Sequence, residues 1–475
     1  MSLDSNDFWT EINLDYEDNF KKNIITDSLT LNSHQYKSYG VKSGIGEKEK
    51  LFVEIGYNHI INDSVVNNSI QKVNASNNFS INSQLINNSN SKLSIFGNYR
   101  ILNRNSNERK EKFLNSRINY FKKTSDDIIK INVLYESNSG NLAQQEYTFI
   151  EVEPGIGNYK WIDINENNIQ ELEEFEIAQF EDEGIYLRVL LPNQKFIKTY
   201  QNKFSQSLNI NFKSWSKDES KFKKLLSHFQ NQTQYLIQKQ SDQENNKFDL
   251  NPFKISSNNL LGLTMNFRNS MFFNRGKEYY STTYNFTNNR SKNSLSFGNI
   301  QNDILSHQLT FKHKLNSILF SSLISMENKK SKSDNFESKN YTFEEIKYTP
   351  KFTYFIENNN KIDFYYQYSK KENLIGNFET LTQNKLGVSS SFSNKNKLAI
   401  NGELNYYKNK FQGNPNSIIG YIMMEGLQSG NNLTWMLNIQ KKVTKYVDLN
   451  LNYFARKSDY NSVIHNGSVQ LKANF

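Results

Sequence analysis

The chain contains no cysteine. A disulfide framework, a thiolate metal site and a cysteine nucleophile are therefore excluded. Proline is nearly as scarce, at 5 in 475 residues. Proline cannot donate to a strand ladder, so a chain made largely of paired strands keeps few of them. Long apolar runs are missing too. Nothing approaches the roughly 20 consecutive apolar residues of a membrane helix. Hydrophobic residues are only 36% of the chain and the mean hydropathy is −0.74. That excludes a helical membrane protein but not a membrane β-barrel, whose strands are apolar only at every second position.

Several chemistries lack their signatures. The net charge of +9 is scattered over turns and strand ends, without the basic patch of a nucleic-acid interface. No Gly-x-Gly-x-x-Gly or Gly-Lys-Ser/Thr loop supports nucleotide binding, and no Gly-x-Ser-x-Gly elbow supports a hydrolase. The histidines, His34, His59, His228, His307, His313 and His465, form no metal-ligand spacing. The opening Met1-Ser-Leu-Asp-Ser-Asn-Asp-Phe-Trp9 has neither the basic nor the apolar region of a signal peptide. An exported protein with this sequence would therefore lack its export signal here.

What is abundant is aromatic and alternating. Aromatics are 14%, with 34 Phe and 27 Tyr; disordered chains are short of them, whereas barrels use them in interfacial girdles. Alternating runs of about ten residues are separated by polar turns rich in Asn and Ser. Leu398, Ile400, Gly402, Leu404 and Tyr406 share one side of an extended strand. Leu433, Trp435, Leu437 and Ile439 repeat the pattern, as do Val447, Leu449, Leu451 and Tyr453. The last run, Val469, Leu471, Ala473 and Phe475, ends the chain on an aromatic residue. A strand pleats with period two, so each run has an apolar and a polar face. The expected fold is all-β: a large antiparallel transmembrane β-barrel of roughly 18 to 22 strands. Its apolar side would meet outer-membrane lipid and its polar side a wet lumen.

One segment breaks the pattern. Residues 151–190 carry eleven Asp and Glu between Glu151 and Glu183, against a single base, Lys160, over the same stretch. This reads as an acidic insertion that folds over one mouth of the barrel or plugs it. Within it, Asp163, Asn165, Asn167 and Glu174 fall at positions 1, 3, 5 and 12 of a calcium loop, and Ile169 offers its carbonyl at position 7. Ca2+ in a structural role is the cofactor implied. Asn168 stands where the motif has glycine, and Gln170 where it has an aliphatic residue. The competing reading is a solvated acidic loop. A short helix is expected from Leu172 to about Phe180.

Two stretches carry a family resemblance. One is Pro154-Gly-Ile-Gly-Asn-Tyr-Lys-Trp-Ile-Asp-Ile-Asn-Glu-Asn-Asn168, followed by Glu174-Phe175 and Tyr186-Leu-Arg-Val189. The other is Gly413-Asn-Pro-Asn416, then Glu425-Gly-Leu-Gln428, Asn432-Leu-Thr-Trp435 and the closing strand. From about Ile150 onward the chain resembles the C-terminal part of large, uncharacterised outer-membrane barrel proteins of Bacteroidetes-type Gram-negative bacteria. The resemblance implies the cell outer membrane and a missing N-terminal region; it brings no activity. The leading expectation is non-enzymatic: a channel, transport component or assembly scaffold, with envelope proteins as candidate partners. A glycan- or protein-binding surface barrel is the second expectation and a rim-located hydrolase the third. A TonB-dependent transporter would need an N-terminal plug, and residues 1–50 do not read as one.

Overall fold

The structure is a computed structural model. It describes all residues except 1, 6, 7, 49, 106–109, 125, 244–247, 256–258, 278, 296, 297, 335, 358, 359, 395, 396, 445, 460, 474 and 475. The aromatic terminus Phe475 thus lies outside the described residues.

Strands dominate. They are β1 (Ser2–Ser5), β2 (Phe8–Asn19), β3 (His34–Gly46), β4 (Phe52–Val66), β5 (Ser69–Asn87), β6 (Ser91–Arg104), β7 (Glu111–Lys123) and β8 (Ile129–Glu151). Then come β9 (Tyr159–Trp161), β10 (Phe175–Ile177), β11 (Tyr186–Asn211), β12 (Phe229–Asp242) and β13 (Leu260–Phe273). A last series holds β14 (Tyr280–Leu295), β15 (Gly298–Leu315), β16 (Ile318–Ser333), β17 (Tyr341–Glu357) and β18 (Asn360–Asn373). It ends with β19 (Thr380–Asn394), β20 (Leu398–Gln412), β21 (Gly430–Lys442), β22 (Val447–Ser458) and β23 (Ile464–Ala473). Three of these are stubs of three or four residues, so the long strands fall within the expected number. The two described α-helices, α1 (Lys221–Leu226) and α2 (Ile418–Met424), lie in connections. No helix among the described residues is long and apolar enough to cross a membrane.

The chain divides into two compact units. One holds Met1–Ala143, Phe196–Ser214 and Gln232–Asn266; the other holds Gln144–Lys195, Trp215–Asn231 and Phe267–Phe475. In the first, β1 to β8 pair antiparallel, each with its sequence neighbour. From β3 to β8 short links enforce this, because strands joined by a few residues can only lie antiparallel. Between β4 and β5 the link is Asn67-Asn68, with φ of 51° and 60°. Two consecutive left-handed residues make the turn whose twist matches the flanking strands, and asparagine tolerates that conformation.

In the second unit β14 to β23 form the same meander. The register lines up the sequence runs on one face. Leu404 faces Trp435, Ile439 faces Leu451, and Leu451 faces Val469. Leu449 likewise faces Leu471. This apolar face is the open one: Phe352 is 53% exposed, Leu386 57% and Val469 68%. Polar side chains are the buried ones, with Asp363 at 7%, Asn405 at 6% and Asn409 at 2%. A water-soluble sheet does the reverse. Trp435 sits on the apolar face, paired with Leu404.

The links differ at the two ends of the strands β15 to β23. At one end they are 316–317, 358–359, 395–397 and 443–446; at the other they are 334–340, 374–379, 413–429 and 459–463. The acidic segment and α2 lie at the end with the longer links.

Candidate functional site

The acidic segment links β8 to β11, which pair with each other. Its two ends meet: the Val152 N–H donates to the Ile185 carbonyl at 2.8 Å, and the Gly157 N–H to the Gly184 carbonyl at 3.0 Å. Gly157 and Gly184 cross so closely that a Cβ on either would strike the other's backbone. Between them β9 pairs with β10 and, through Tyr159, with Tyr186 of β11. Phe175 is buried, stacked on Phe149 of β8 at 4.1 Å and edge-on to Tyr186 at 5.0 Å.

The expected helix from Leu172 to Phe180 is corrected by these contacts. Leu172–Glu174 is a single 3-10 turn, and Phe175–Ile177 is strand β10. Burying Phe175 between Phe149 and Tyr186 while pairing with β9 requires extended backbone there, and this tertiary gain outweighs local helix propensity.

The proposed calcium ligands fall into two groups. Asp163 accepts the N–H of Asn167 at 3.3 Å and of Asn168 at 2.9 Å. Asn165 accepts from Asn167 at 3.1 Å, and Asn167 from Ile169 at 2.6 Å. Asn168 has φ of 56°, the conformation for which the motif keeps glycine. Glu174 is placed differently. It is fully buried, accepting the Trp161 indole N–H at 2.7 Å and the Ile164 N–H at 3.0 Å. Ile169 is exposed. Among the described residues no group of three or more His, Asp or Glu side chains could hold a metal.

The segment is seated on the polar face of β22 and β23. Arg456 pairs with Thr434, which pairs in turn with Asn405, so Arg456 stands on the buried polar face. Its guanidinium grips both carboxylate oxygens of Asp182, with Nη2 to Oδ2 at 2.8 Å, and reaches Glu183 Oε1 at 3.2 Å. Phe180 stacks on Phe454 at 5.5 Å and lies 4.1 Å beneath the Arg456 guanidinium. Asn466 donates to Glu181 at 3.3 Å. Further along, Lys339 donates to the Phe175 carbonyl at 2.6 Å and pairs with Glu176 at 2.9 Å. Cations from the strands and loops thus pair with Glu176, Asp182 and Glu183 of the acidic block.

Helix α2 lies beside it. Ser417 caps the helix by accepting the Gly420 N–H at 3.0 Å, and Glu425 and Gly426 end it in the left-handed region at φ of 57° and 75°. Ile419, Met423 and Met424 are buried against Phe343 and Leu381. Lys371 donates to the Met423 carbonyl at 3.1 Å. Phe343 and Leu381 share a strand face with the buried Glu345 and Gln383, two positions on, so α2 also covers the polar face. The two inserts meet at Tyr421. Its hydroxyl donates to Glu183 at 2.6 Å and accepts the Gln179 N–H at 2.9 Å. Burial pushes that hydroxyl well above the ordinary phenol range, and the bond to Glu183 adds to the rise. Gly426 leaves the room that Phe180 and Gln179 occupy.

A cavity of about 610 Å³ remains between the inserts and the β22–β23 link. Its wall includes Trp161, Asp163, Tyr421, Gln428, Arg456 and Asn461. The sequence marks the acidic block. It gave no sign of Arg456, Lys339 or Tyr421, whose roles depend on residues more than a hundred positions away. The available signal was the Gly413–Gln428 stretch itself, too rich in turn and cap residues to be a plain hairpin link.

An antiparallel wall that exposes its apolar face and buries its polar one is stable only with hydrocarbon against that apolar face. The fold class is that of an outer-membrane β-barrel, and the protein belongs in the outer membrane. No family model matches the chain, and no curated protein matches it. Among solved structures it is similar to the siderophore receptor PirA of Pseudomonas aeruginosa, at 8% identity and TM-score 0.39, covering 99% of this chain and 74% of that one. It is also similar to the ferric-catecholate import receptor Fiu of E. coli K12 in its closed form, at 9% identity and TM-score 0.36, covering 95% and 74%. OmpT of Vibrio cholerae follows at 11% identity and TM-score 0.27, covering 92% and 99%.

Proposed function

We propose that this is a non-enzymatic outer-membrane channel or transport component whose polar face is plugged by the acidic segment together with α2. The observation that carries the proposal is the grip of Arg456 on Asp182 and Glu183, which seats the segment on the side that would line a lumen. The segment lies at the end with the longer links, and barrels carry their longer loops outside the cell; the plug therefore faces the exterior. Within the plug, Asp163, Asn165, Asn167 and the Ile169 carbonyl are the groups that would hold Ca2+, and Glu174 would join them only on giving up its bonds to Trp161 and Ile164.

The test is conductance in a planar bilayer. The native protein should pass little current, and Arg456→Ala should open larger, longer-lived steps. Equal conductance in the two, or silence from both, would refute the plug.

A further inference from the structure

We propose that the cavity between the acidic segment, α2 and the β22–β23 link is a binding site for a neutral saccharide. The volume, about 610 Å³, lies within the range of small-molecule sites. The argument turns on which groups in the wall are still available. Every charged side chain there has a partner. Lys160 pairs with Glu183 at 3.1 Å, and Arg456 with Asp182 and Glu183. Asp163 accepts two backbone N–H groups of its own loop. An anionic ligand would find no unpaired cation in this wall and would lose its hydration on entry.

What remains is aromatic, apolar and neutral polar surface. Trp161 lines the cavity with its ring orientation fixed by the bond to Glu174. Leu427 and Ile464 add apolar patches. Gln428, Ser458 and Asn461 supply hydroxyl and amide groups. The Gln428 Oε1 is buried and accepts no hydrogen bond among the described residues, so turning this amide toward the cavity it borders costs no existing bond to that oxygen and lets a ligand donor complete it. A sugar ring offers the matching chemistry: apolar C–H faces for the indole and Leu427, and hydroxyls around its edge for the amides. The proposal rests on the docked position of the acidic segment and not on whether the barrel conducts.

The experiment is calorimetric titration of the full-length chain in detergent with maltohexaose, cellohexaose and xylohexaose, using a sulfated disaccharide as the charged control. At least one neutral sugar should bind, and Gln428→Ala and Asn461→Ala should each weaken it by roughly fivefold or more. Heat-dependent migration on a gel checks that both variants fold; Asn461 lies in an exposed link and its truncation spares the core. No binding of any neutral sugar at millimolar concentration overturns the proposal. So does tighter binding of the sulfated control, or affinity unchanged in both variants. Sugar binding together with conductance unaffected by Arg456→Ala would refute the plug and leave the saccharide site standing.

Discussion

Arg456 is held from three directions at once: two carboxylates grip its guanidinium and the Phe180 ring lies beneath it. Its side chain is only 10% exposed. Removing one partner of so buried a pair leaves the other's charge without compensation, which typically costs about 3–5 kcal/mol. Arg456→Ala should therefore release residues 176–184 while the strands stay paired. Limited proteolysis should cut this variant within the acidic segment under conditions that leave the native protein whole. Resistance equal to the native protein's would show that the seat depends on Tyr421 and Lys339 instead.

At the scale of single elements, the long strands were readable and the inserts were not. Leu398 to Tyr406 and Val447 to Tyr453 alternate because every other position faces lipid, and that period survives in the sequence without knowledge of the partner strand. Leu172 to Phe180 misled because local propensity says nothing of Phe149, which draws Phe175 into an edge strand. The loop from Asp163 to Glu174 was legible as a pattern, and Asn168 does adopt the left-handed turn. The engagement of Glu174 with Trp161 was not legible, since no motif spacing encodes it.

Two tests belong at this scale. Leu386 and Ser389 lie on opposite faces of β19. Leu386→Arg puts a charge against hydrocarbon and should cost about 2–4 kcal/mol near the membrane midplane. Ser389→Arg, on the polar face, should cost far less. Urea unfolding of the two variants in lipid vesicles decides it, and equal losses would mean the faces are wrongly assigned. Calcium titration is the second test. If Ca2+ binds, Trp161 loses its acceptor and tryptophan emission should shift with added Ca2+, whereas Glu174→Ala should abolish the response. Emission that ignores millimolar Ca2+ would leave the loop as a solvated turn.

For the whole molecule, the decisive feature is that the buried surface is polar and the open surface apolar. Such a chain has no stable arrangement in water, so its folding and its insertion into a bilayer are one event. The acidic segment stands apart from that event, because its two ends, Val152 and Ile185, are one hydrogen bond apart. Replacing residues 154–183 by a tight Asn-Gly turn should leave the pairing of β8 with β11 intact. The shortened protein should insert, show the same heat-dependent gel shift, and conduct more than its parent. Failure to insert would mean that the segment helps the strands assemble.

The joint at Val152 and Ile185 also makes the segment a cassette. Foreign sequence spliced there would enter and leave through the same doorway, with no strand shifted in register. Lineages could then exchange this piece wholesale while the wall beneath stays unaltered, and an engineer could do the same with a reporter or an epitope.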